Sequence, residues 1–173
     1  GPAPGEWGPV VPGLAGKVRV GQGFDIHRFS DDPARRLVLG GVHFDGEPGL
    51  VGHSDADVVA HAAADALLGA AGLGDIGEHF PDTDPRYAGA DSLSLLREAA
   101  AKVRAAGWEP GNVDCSVVCE APKLAPRKAE MEANLGAAAG VPVSVKGRRA
   151  EGLGALGRRE GIACWAVAVV VAA

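Results

Sequence analysis

Three short segments of this chain carry side chains that bind metal ions and phosphates. Asp25 and His27 lie two residues apart in a stretch with strand character, so their side chains share one face. His61 lies in an alanine-rich run that is typical of a helix. One Asp and two His form a common ligand set for catalytic zinc, and this set leaves a fourth position open for substrate. The sequence therefore predicts a zinc site, about one ion per chain, where a strand end meets a helix face.

The residues just before this helix suit either capping or anion binding. Ser54 or Asp55 can accept a hydrogen bond from the first amides of the helix and so cap it. Alternatively, free amides at a helix start, together with its partial positive charge, bind a phosphate. His53 stands beside them.

On the helix itself, Asp57, His61 and Asp65 are spaced by four residues and therefore share one face. This spacing predicts that a carboxylate one turn from His61 fixes the orientation of the imidazole. The alternative is a solvated polar face that carries a surface histidine.

Three later segments have the composition of binding loops. The Gly/Asp/Pro-rich segment 72–84 can present amides and carboxylates to sugars and phosphates, although a plain surface turn has the same composition. The segment 121–126 is a turn bracketed by prolines that can place a base. The segment 146–161 carries four arginines suited to phosphates and a carboxylate, Glu151, suited to Mg²⁺; its alternative is a solvated flexible loop.

Composition narrows the class of protein. The chain has 173 residues, 47% hydrophobic content and a net charge of −5, which fit one domain with a core and no broad nucleic-acid surface. No apolar run reaches the roughly 20 residues of a membrane span. Three cysteines without metal-motif spacing favour a reducing, cytoplasmic location. Gly1-Pro2 resembles a protease-cleavage remnant, and residues 1–16 are predicted to form a flexible leader before a single domain at 17–173.

The periodicity predicts an α+β fold. Helix patterns cover Ala56–Ala71, Ser92–Ala106 and Arg127–Ala139, and strand patterns cover Lys17–Phe24, Arg36–Leu39, Val42–Phe44, Asn112–Cys119, Val141–Lys146 and Ile162–Val171. We expect a mixed sheet with helices on one face. The last strand is apolar on both sides and needs cover on both faces, which predicts self-association through the sheet.

Taken in order, four motifs resemble the 2-C-methyl-D-erythritol 2,4-cyclodiphosphate synthase family: Gly23–His27, His53–Asp57, Gly74–Asp84 and Arg158–Ala163. The resemblance runs from about Val18 to the end of the chain. It implies an α+β homotrimer with active sites between neighbouring subunits and a central apolar cavity. It also implies a reaction of the non-mevalonate isoprenoid pathway, in which 4-diphosphocytidyl-2-C-methyl-D-erythritol 2-phosphate closes to the cyclic diphosphate and releases CMP.

The same resemblance implies roles for individual residues. The zinc ligands would be Asp25, His27 and His61, and Glu151 would contact a Mg²⁺ or Mn²⁺ that arrives with the substrate diphosphate. His53 and Arg149 would take part in catalysis. The residues implied in substrate binding are Asp25, Ile26, His27, His53, Ser54, Asp75, Ile76, Gly77, Phe80, Pro81, Asp82, Thr83, Asp84, Cys119, Glu120, Ala121, Pro122, Lys123, Leu124, Ala125, Arg148, Arg149, Ala150, Glu151, Ala155 and Arg158.

The chain departs from the family pattern in one loop. Arg148-Arg149-Ala150 replaces a run of Thr, and a Thr hydroxyl that helps to stabilise the transition state is replaced by Arg149. Ala155 replaces a Phe near the cavity, and Arg159 replaces a Gly. The arginines either donate to the same phosphates, with the same or another cytidine diphosphate ester as substrate, or block the cytidine side. Blocking would leave a zinc-binding protein with little cyclase activity. A separate alternative, of another class, is a trimeric protein that binds nucleotides or isoprenoid phosphates without turnover.

Overall fold

The computed structural model describes residues 16–173, and the predicted leader at residues 1–16 lies outside the described residues except for Gly16. The described part folds into strands and helices in the order β1 (Val18–Arg28), β2 (Leu37–Leu39), β3 (Val42–Phe44), α1 (Val58–Ala70), α2 (Ile76–His79), α3 (Ser92–Ala105), β4 (Trp108–Val118), α4 (Lys128–Ala139), β5 (Val143–Arg148), α5 (Gly154–Gly157) and β6 (Gly161–Ala172). Short 3₁₀ turns lie at Pro85–Tyr87 and Ala125–Arg127.

The main sheet has four strands in the order β1-β6-β4-β5. Strand β4 runs parallel to β5, and the other neighbours are antiparallel, so the predicted mixed sheet of an α+β fold is confirmed. Strands β2 and β3 form a separate hairpin. Strand β1 pairs with β6 along its whole length, with Asp25 opposite Cys164 and His27 opposite Ile162. This pairing holds both predicted ligands of β1 in regular strand geometry.

The boundaries differ from the sequence prediction where long-range pairing decides them. Strand β1 continues past Phe24 to Arg28 because β6 offers partners that far. Strand β4 begins at Trp108, four residues before the predicted start, although Pro110 and Gly111 discourage strand structure. The register shifts between Pro110 and Asn112, and such a bulge lets the strand accommodate both residues.

The α-helices pack on one face of the main sheet, and in the described chain the other face is open. Along β6 the side chains of Cys164, Ala166 and Ala168 are buried, while Trp165 and Val167 point to the opposite, exposed side. The open face continues across β1 with Val20, Phe24 and Ile26, and the rings of Phe24 and Trp165 lie 4.9 Å apart. The predicted self-association through this face stays a prediction.

Helix α1 lies directly against strand β1 because two glycines of the strand lack side chains. A methyl group on Gly23 would overlap the carbonyl oxygen of Ala62 and lie 2.6 Å from the amide nitrogen of Ala66. Gly21 meets the next turn of the helix in the same way. The separation between the strand that carries Asp25 and the helix that carries His61 is therefore set by backbone contact.

Two simpler features complete the fold. Cys115, Cys119 and Cys164 are free and buried. In the described part of the chain, every helix is too short or too polar to cross a membrane.

Candidate metal and phosphate site

Strand β1 and helix α1 bring the three predicted ligands together. The Oδ2 atom of Asp25 lies 3.0 Å from Nε2 of His27 and 3.0 Å from Nδ1 of His61. One ligand atom from each side chain falls within 4.8 Å of the other two, which is a spacing that one metal ion can bridge. Asp25 and His27 are partly exposed, and His61 is buried.

The hydrogen bonds of His27 test whether a metal ion fits this cluster. Nδ1 of His27 lies 2.7 Å from the carbonyl oxygen of Val51, which can only accept, so Nδ1 carries the proton and donates. Nε2 is then bare. It is buried and makes no hydrogen bond, although Oδ2 of Asp25 lies 3.0 Å away. Two lone-pair atoms facing each other at this distance need a cation, and the arrangement fits a metal ion.

The charges of the cluster also fit a bound metal ion. Burial raises the pKa of Asp25, but the neighbouring imidazoles of His27 and His61, when they are protonated, outweigh burial and hold that pKa below its usual value. Burial lowers the pKa of His27, but the Asp25 carboxylate outweighs burial and raises it. The cluster thus stabilises an anion surrounded by positive charge, and a bound metal ion would replace the protons that otherwise supply that charge.

The start of α1 corrects the predicted cap. The N-cap is Asp57, not Ser54 or Asp55, and its carboxylate accepts from the amides of Val59 and Ala60 at 3.1 Å. The same carboxylate accepts from Gly40 and Gly41 on the β2–β3 turn, at 2.9 and 2.8 Å. These helix amides are therefore occupied by Asp57 and are not open to a phosphate. Burial and the neighbouring Asp55 raise the pKa of Asp57 to about 6, and the amides of Gly41, Gly40 and Ala60 oppose this rise.

The predicted carboxylate partner of His61 is also different from the sequence hypothesis. Asp57 faces the β2–β3 turn, and Asp65 accepts from the amides of Phe24 and Ile76 at 3.4 and 3.3 Å. Neither carboxylate contacts the imidazole. Nε2 of His61 instead lies 2.7 Å from the hydroxyl of Ser92 and 3.2 Å from that of Ser54.

Arg35 is a positioning residue that sequence reasoning missed. Its guanidinium donates to the carbonyl oxygens of Leu50 and Ser54 at 2.7 Å each, and to that of Gly52 at 3.2 Å. It thereby holds the segment that carries the Val51 carbonyl as well as His53 and Ser54. Nothing in the local sequence signals this role, because the three acceptors are backbone atoms 15 to 19 residues away.

The metal-ligand cluster lies in a pocket of about 400 Å³. The segment between α1 and α3 contributes much of its lining, including Phe80 and Tyr87, and Leu95 of α3 adds a further apolar side chain. His53 is fixed at its rim, because its Nε2–H donates to the carbonyl of Asp84 at 3.0 Å. The predicted substrate-binding residues that line this pocket are Asp25, His27, His53, Ser54, Ile76, Gly77, Phe80, Pro81 and Asp82.

A second pocket, of about 520 Å³, lies at the end of β4 and β5 and shares no lining residue with the first. Its wall is basic, with Lys128, Lys146 and Arg159 beside the predicted residues. Burial raises the pKa of the Cys119 thiol to about 11, so this thiol stays protonated and is not a nucleophile. The predicted residues that line this pocket are Cys119, Glu120, Pro122, Lys123, Leu124, Ala125, Arg148 and Arg149.

Within this second pocket, Arg149 is paired with a carboxylate. Its guanidinium donates to Oε2 of Glu120 at 3.1 and 3.3 Å, and the amide of Ala150 donates to Oε1 at 2.7 Å. The Glu120 side chain is only 4% exposed. Burial opposes its ionisation, but these donors outweigh burial and lower the pKa of Glu120. Arg149 therefore brings little net positive charge to the pocket.

The remaining predicted residues line neither pocket of this single chain. Ile26 lies between the two ligands of β1, but its side chain faces the open side of the sheet. Asp75 caps α2 by accepting from the amide of Glu78 at 3.0 Å. Glu151, the predicted magnesium ligand, is exposed in the turn before α5. The full set outside both pockets is Ile26, Asp75, Thr83, Asp84, Ala121, Ala150, Glu151, Ala155 and Arg158.

The fold and this cluster together define a class: an α+β protein with an Asp-His-His cluster, spaced for one metal ion, at a strand–helix junction. Comparison with known proteins then assigns the family. Residues 18–171 match the YgbB family. The chain belongs to this family.

The relatives are of two lengths. The 2-C-methyl-D-erythritol 2,4-cyclodiphosphate synthase of Bordetella petrii is 57% identical over 158 residues, which are 90% of this chain and 96% of that protein. The bifunctional enzyme IspD/IspF of Anaeromyxobacter dehalogenans is 56% identical over 92% of this chain, but the chain spans only 42% of that protein. Among solved structures, IspF of Plasmodium falciparum in complex with CDP is 32% identical, with a TM-score of 0.78 and coverage of 91% of this chain and 97% of that chain.

Proposed function

We propose that this chain converts 4-diphosphocytidyl-2-C-methyl-D-erythritol 2-phosphate to 2-C-methyl-D-erythritol 2,4-cyclodiphosphate and CMP. The observation that carries the proposal is the bare, buried Nε2 of His27, which faces Asp25 beside His61 in a pocket with His53 and Ser54 at its rim. The Bordetella petrii relative bears the name of this synthase and matches over nearly its whole length. That match favours the cyclase over a binding protein without turnover.

The metal ion expected at this site is zinc, because one carboxylate and two imidazoles form a catalytic zinc set. When bound, zinc supplies Lewis-acid polarisation of a phosphate oxygen. An oxygen of the 2-phosphate attacks the β-phosphorus, and the bond from that phosphorus to the oxygen bridging to the α-phosphate breaks, so that CMP leaves with the bond's electrons. The attacking phosphate is already anionic and needs positioning more than a base. His53 and Ser54 are placed to do this positioning.

The second pocket is the proposed nucleotide side of the site. The Plasmodium falciparum IspF structure contains CDP, and the basic wall of this pocket suits a cytidine diphosphate. We assign Glu151 to the Mg²⁺ or Mn²⁺ that accompanies the diphosphate. Because one chain keeps the two pockets apart, we infer that a neighbouring copy completes each site. The open apolar face of β1 and β6 supports a homotrimer closed around the sheets.

The three buried, unpaired cysteines also support action in a reducing cytoplasm.

Phosphorus NMR tests the proposed reaction. The protein is incubated with the cytidine diphosphate ester, Mg²⁺ and Zn²⁺, after its mass in solution has been measured. We expect stoichiometric CMP and a new cyclic diphosphate, because the cluster of Asp25, His27 and His61 is present together with His53 and Ser54 at the pocket rim. Protein treated with a chelator and returned to Mg²⁺ alone is the control and should leave the spectrum unchanged.

An unchanged spectrum from zinc-loaded, trimeric protein would contradict the proposal. It would mean that Arg148 and Arg149 redirect or block the nucleotide side. Release of CMP from another cytidine diphosphate ester, with none from this one, would identify a cyclase of altered specificity.

A further inference from the structure

We propose that Ser92 and Asp55 are positioning residues that set the zinc affinity of the site through His61. The Ser92 hydroxyl accepts a hydrogen bond from the imidazole and donates one to the Asp55 carboxylate. The inference rests on the metal site of the proposed function but concerns residues that touch neither the metal nor the substrate. Its basis is a chain of hydrogen bonds from α3 to the ligand cluster.

The direction of each hydrogen bond follows from the available protons. The hydroxyl of Ser92 is in short hydrogen-bond contact with Oδ1 of Asp55, and an ionised carboxylate only accepts, so Ser92 donates its one proton there. The same hydroxyl lies 2.7 Å from Nε2 of His61 and must accept from it. His61 therefore carries its proton on Nε2. Its Nδ1, 3.0 Å from Oδ2 of Asp25, is left bare for a metal ion.

The fold holds this chain of hydrogen bonds rigidly. Ser92 is the first residue of α3 and is fully buried. Its amide donates to Oδ2 of Asp55 at 3.1 Å, and the amide of Asp55 donates to the carbonyl of Ala90 at 3.1 Å. Asp55 is thus tied to the start of α3 by its side chain and its backbone. The imidazole of His61 is held in one tautomer and one orientation before a metal ion arrives.

Ser54 is less suited to this task. Its hydroxyl lies 3.2 Å from Nε2 of His61, against 2.7 Å for Ser92, and it already accepts from the amide of Ala56 at 3.2 Å. It also lines the pocket, where it is available to substrate. Ser54 therefore lies on the side of His61 that faces the pocket, and Ser92 lies on the side that faces the protein interior.

The test compares Ser92→Ala with Ser94→Ala, the same change two residues along the exposed side of α3. Zinc affinity is measured by competition with a chromophoric chelator on the full chain. We expect Ser92→Ala to weaken zinc binding by roughly 10- to 100-fold, the usual effect of losing a partner of a ligating imidazole. Ser94→Ala should bind like the wild type. Melting of the metal-free proteins shows whether folding has changed.

A second measurement uses no variant of Ser92 or Asp55. Nitrogen-15 NMR of the zinc-loaded wild type, with His61 assigned by comparison with His61→Ala, should show Nε2 protonated and Nδ1 on the metal. A proton on Nδ1 would overturn the inference, and so would a folded Ser92→Ala protein with wild-type zinc affinity. If the wild type itself binds no zinc, the proposed metal site fails instead, so the two failures are distinguishable.

Discussion

Gly23→Ala is expected to destabilise the protein by about 3 kcal/mol or more and to remove the metal site with it. The added methyl group would overlap the backbone of α1 at Ala62, and backbone cannot move aside as a flexible side chain does. Either α1 shifts away from β1, which separates His61 from Asp25, or the helix does not dock. Such a loss is a large part of the stability of a typical domain, which is about 5–15 kcal/mol. Urea unfolding and zinc content measure the two effects.

The matched control is Gly69→Ala, which adds a methyl group to helix α1 itself. A methyl group there meets only the carbonyl oxygen of Gln22, at an ordinary 3.7 Å. Since alanine favours a helix over glycine, this change should stabilise the protein by about 0.5–1 kcal/mol. If Gly23→Ala unfolds at the same urea concentration as the wild type, β1 and α1 do not lie in backbone contact at Gly23.

His61→Ala is expected to abolish zinc retention and cyclase activity while leaving the fold in place. Zinc bound by four protein ligands gains roughly 10–16 kcal/mol, so one ligand is worth about 2.5–4 kcal/mol, or roughly 70- to 900-fold in affinity. The Ser92 hydroxyl loses its donor, which lowers stability by about 1 kcal/mol. Metal analysis of protein purified without chelator should give about one zinc per wild-type chain and almost none for the variant.

His43→Ala is the corresponding control, because His43 is an exposed histidine of β3. It should retain zinc and activity at the wild-type level. A His61→Ala protein that still holds stoichiometric zinc, or still releases CMP, would show that the metal lies elsewhere or is not needed.

The ligand set could be predicted from sequence because each part obeys a local period. Alternation along a strand places Asp25 and His27 on one face, and the alanine-rich pattern identifies the helix that carries His61. The structure confirms this grouping. Local periodicity does not report what a side chain meets on a distant segment. That is why Asp57 and Asp65 were wrong as partners of His61: the first bonds to Gly40 and Gly41, and the second to amides of β1 and α2.

The same limit explains the other differences. Ser92 lies 31 residues from His61, and its role depends on how α3 packs beside α1. Arg35 acts through backbone oxygens, which carry no sequence signature. The extra residues of β4 depend on a bulge at Gly111 that pairing with β6 stabilises. In each case the missing information is a contact between segments far apart in sequence.

The separation of the two pockets has a genetic consequence. If each active site takes its metal half from one copy and its nucleotide half from a neighbour, lesions in opposite halves fall on different chains of a mixed assembly. Two inactive variants, one damaged near Asp25 and the other near Lys123, would then restore some turnover when produced together, since a few sites would combine two intact halves. Two variants damaged in the same half would not complement each other. Survival of cells that depend on this reaction would therefore show that the two halves of an active site come from different chains.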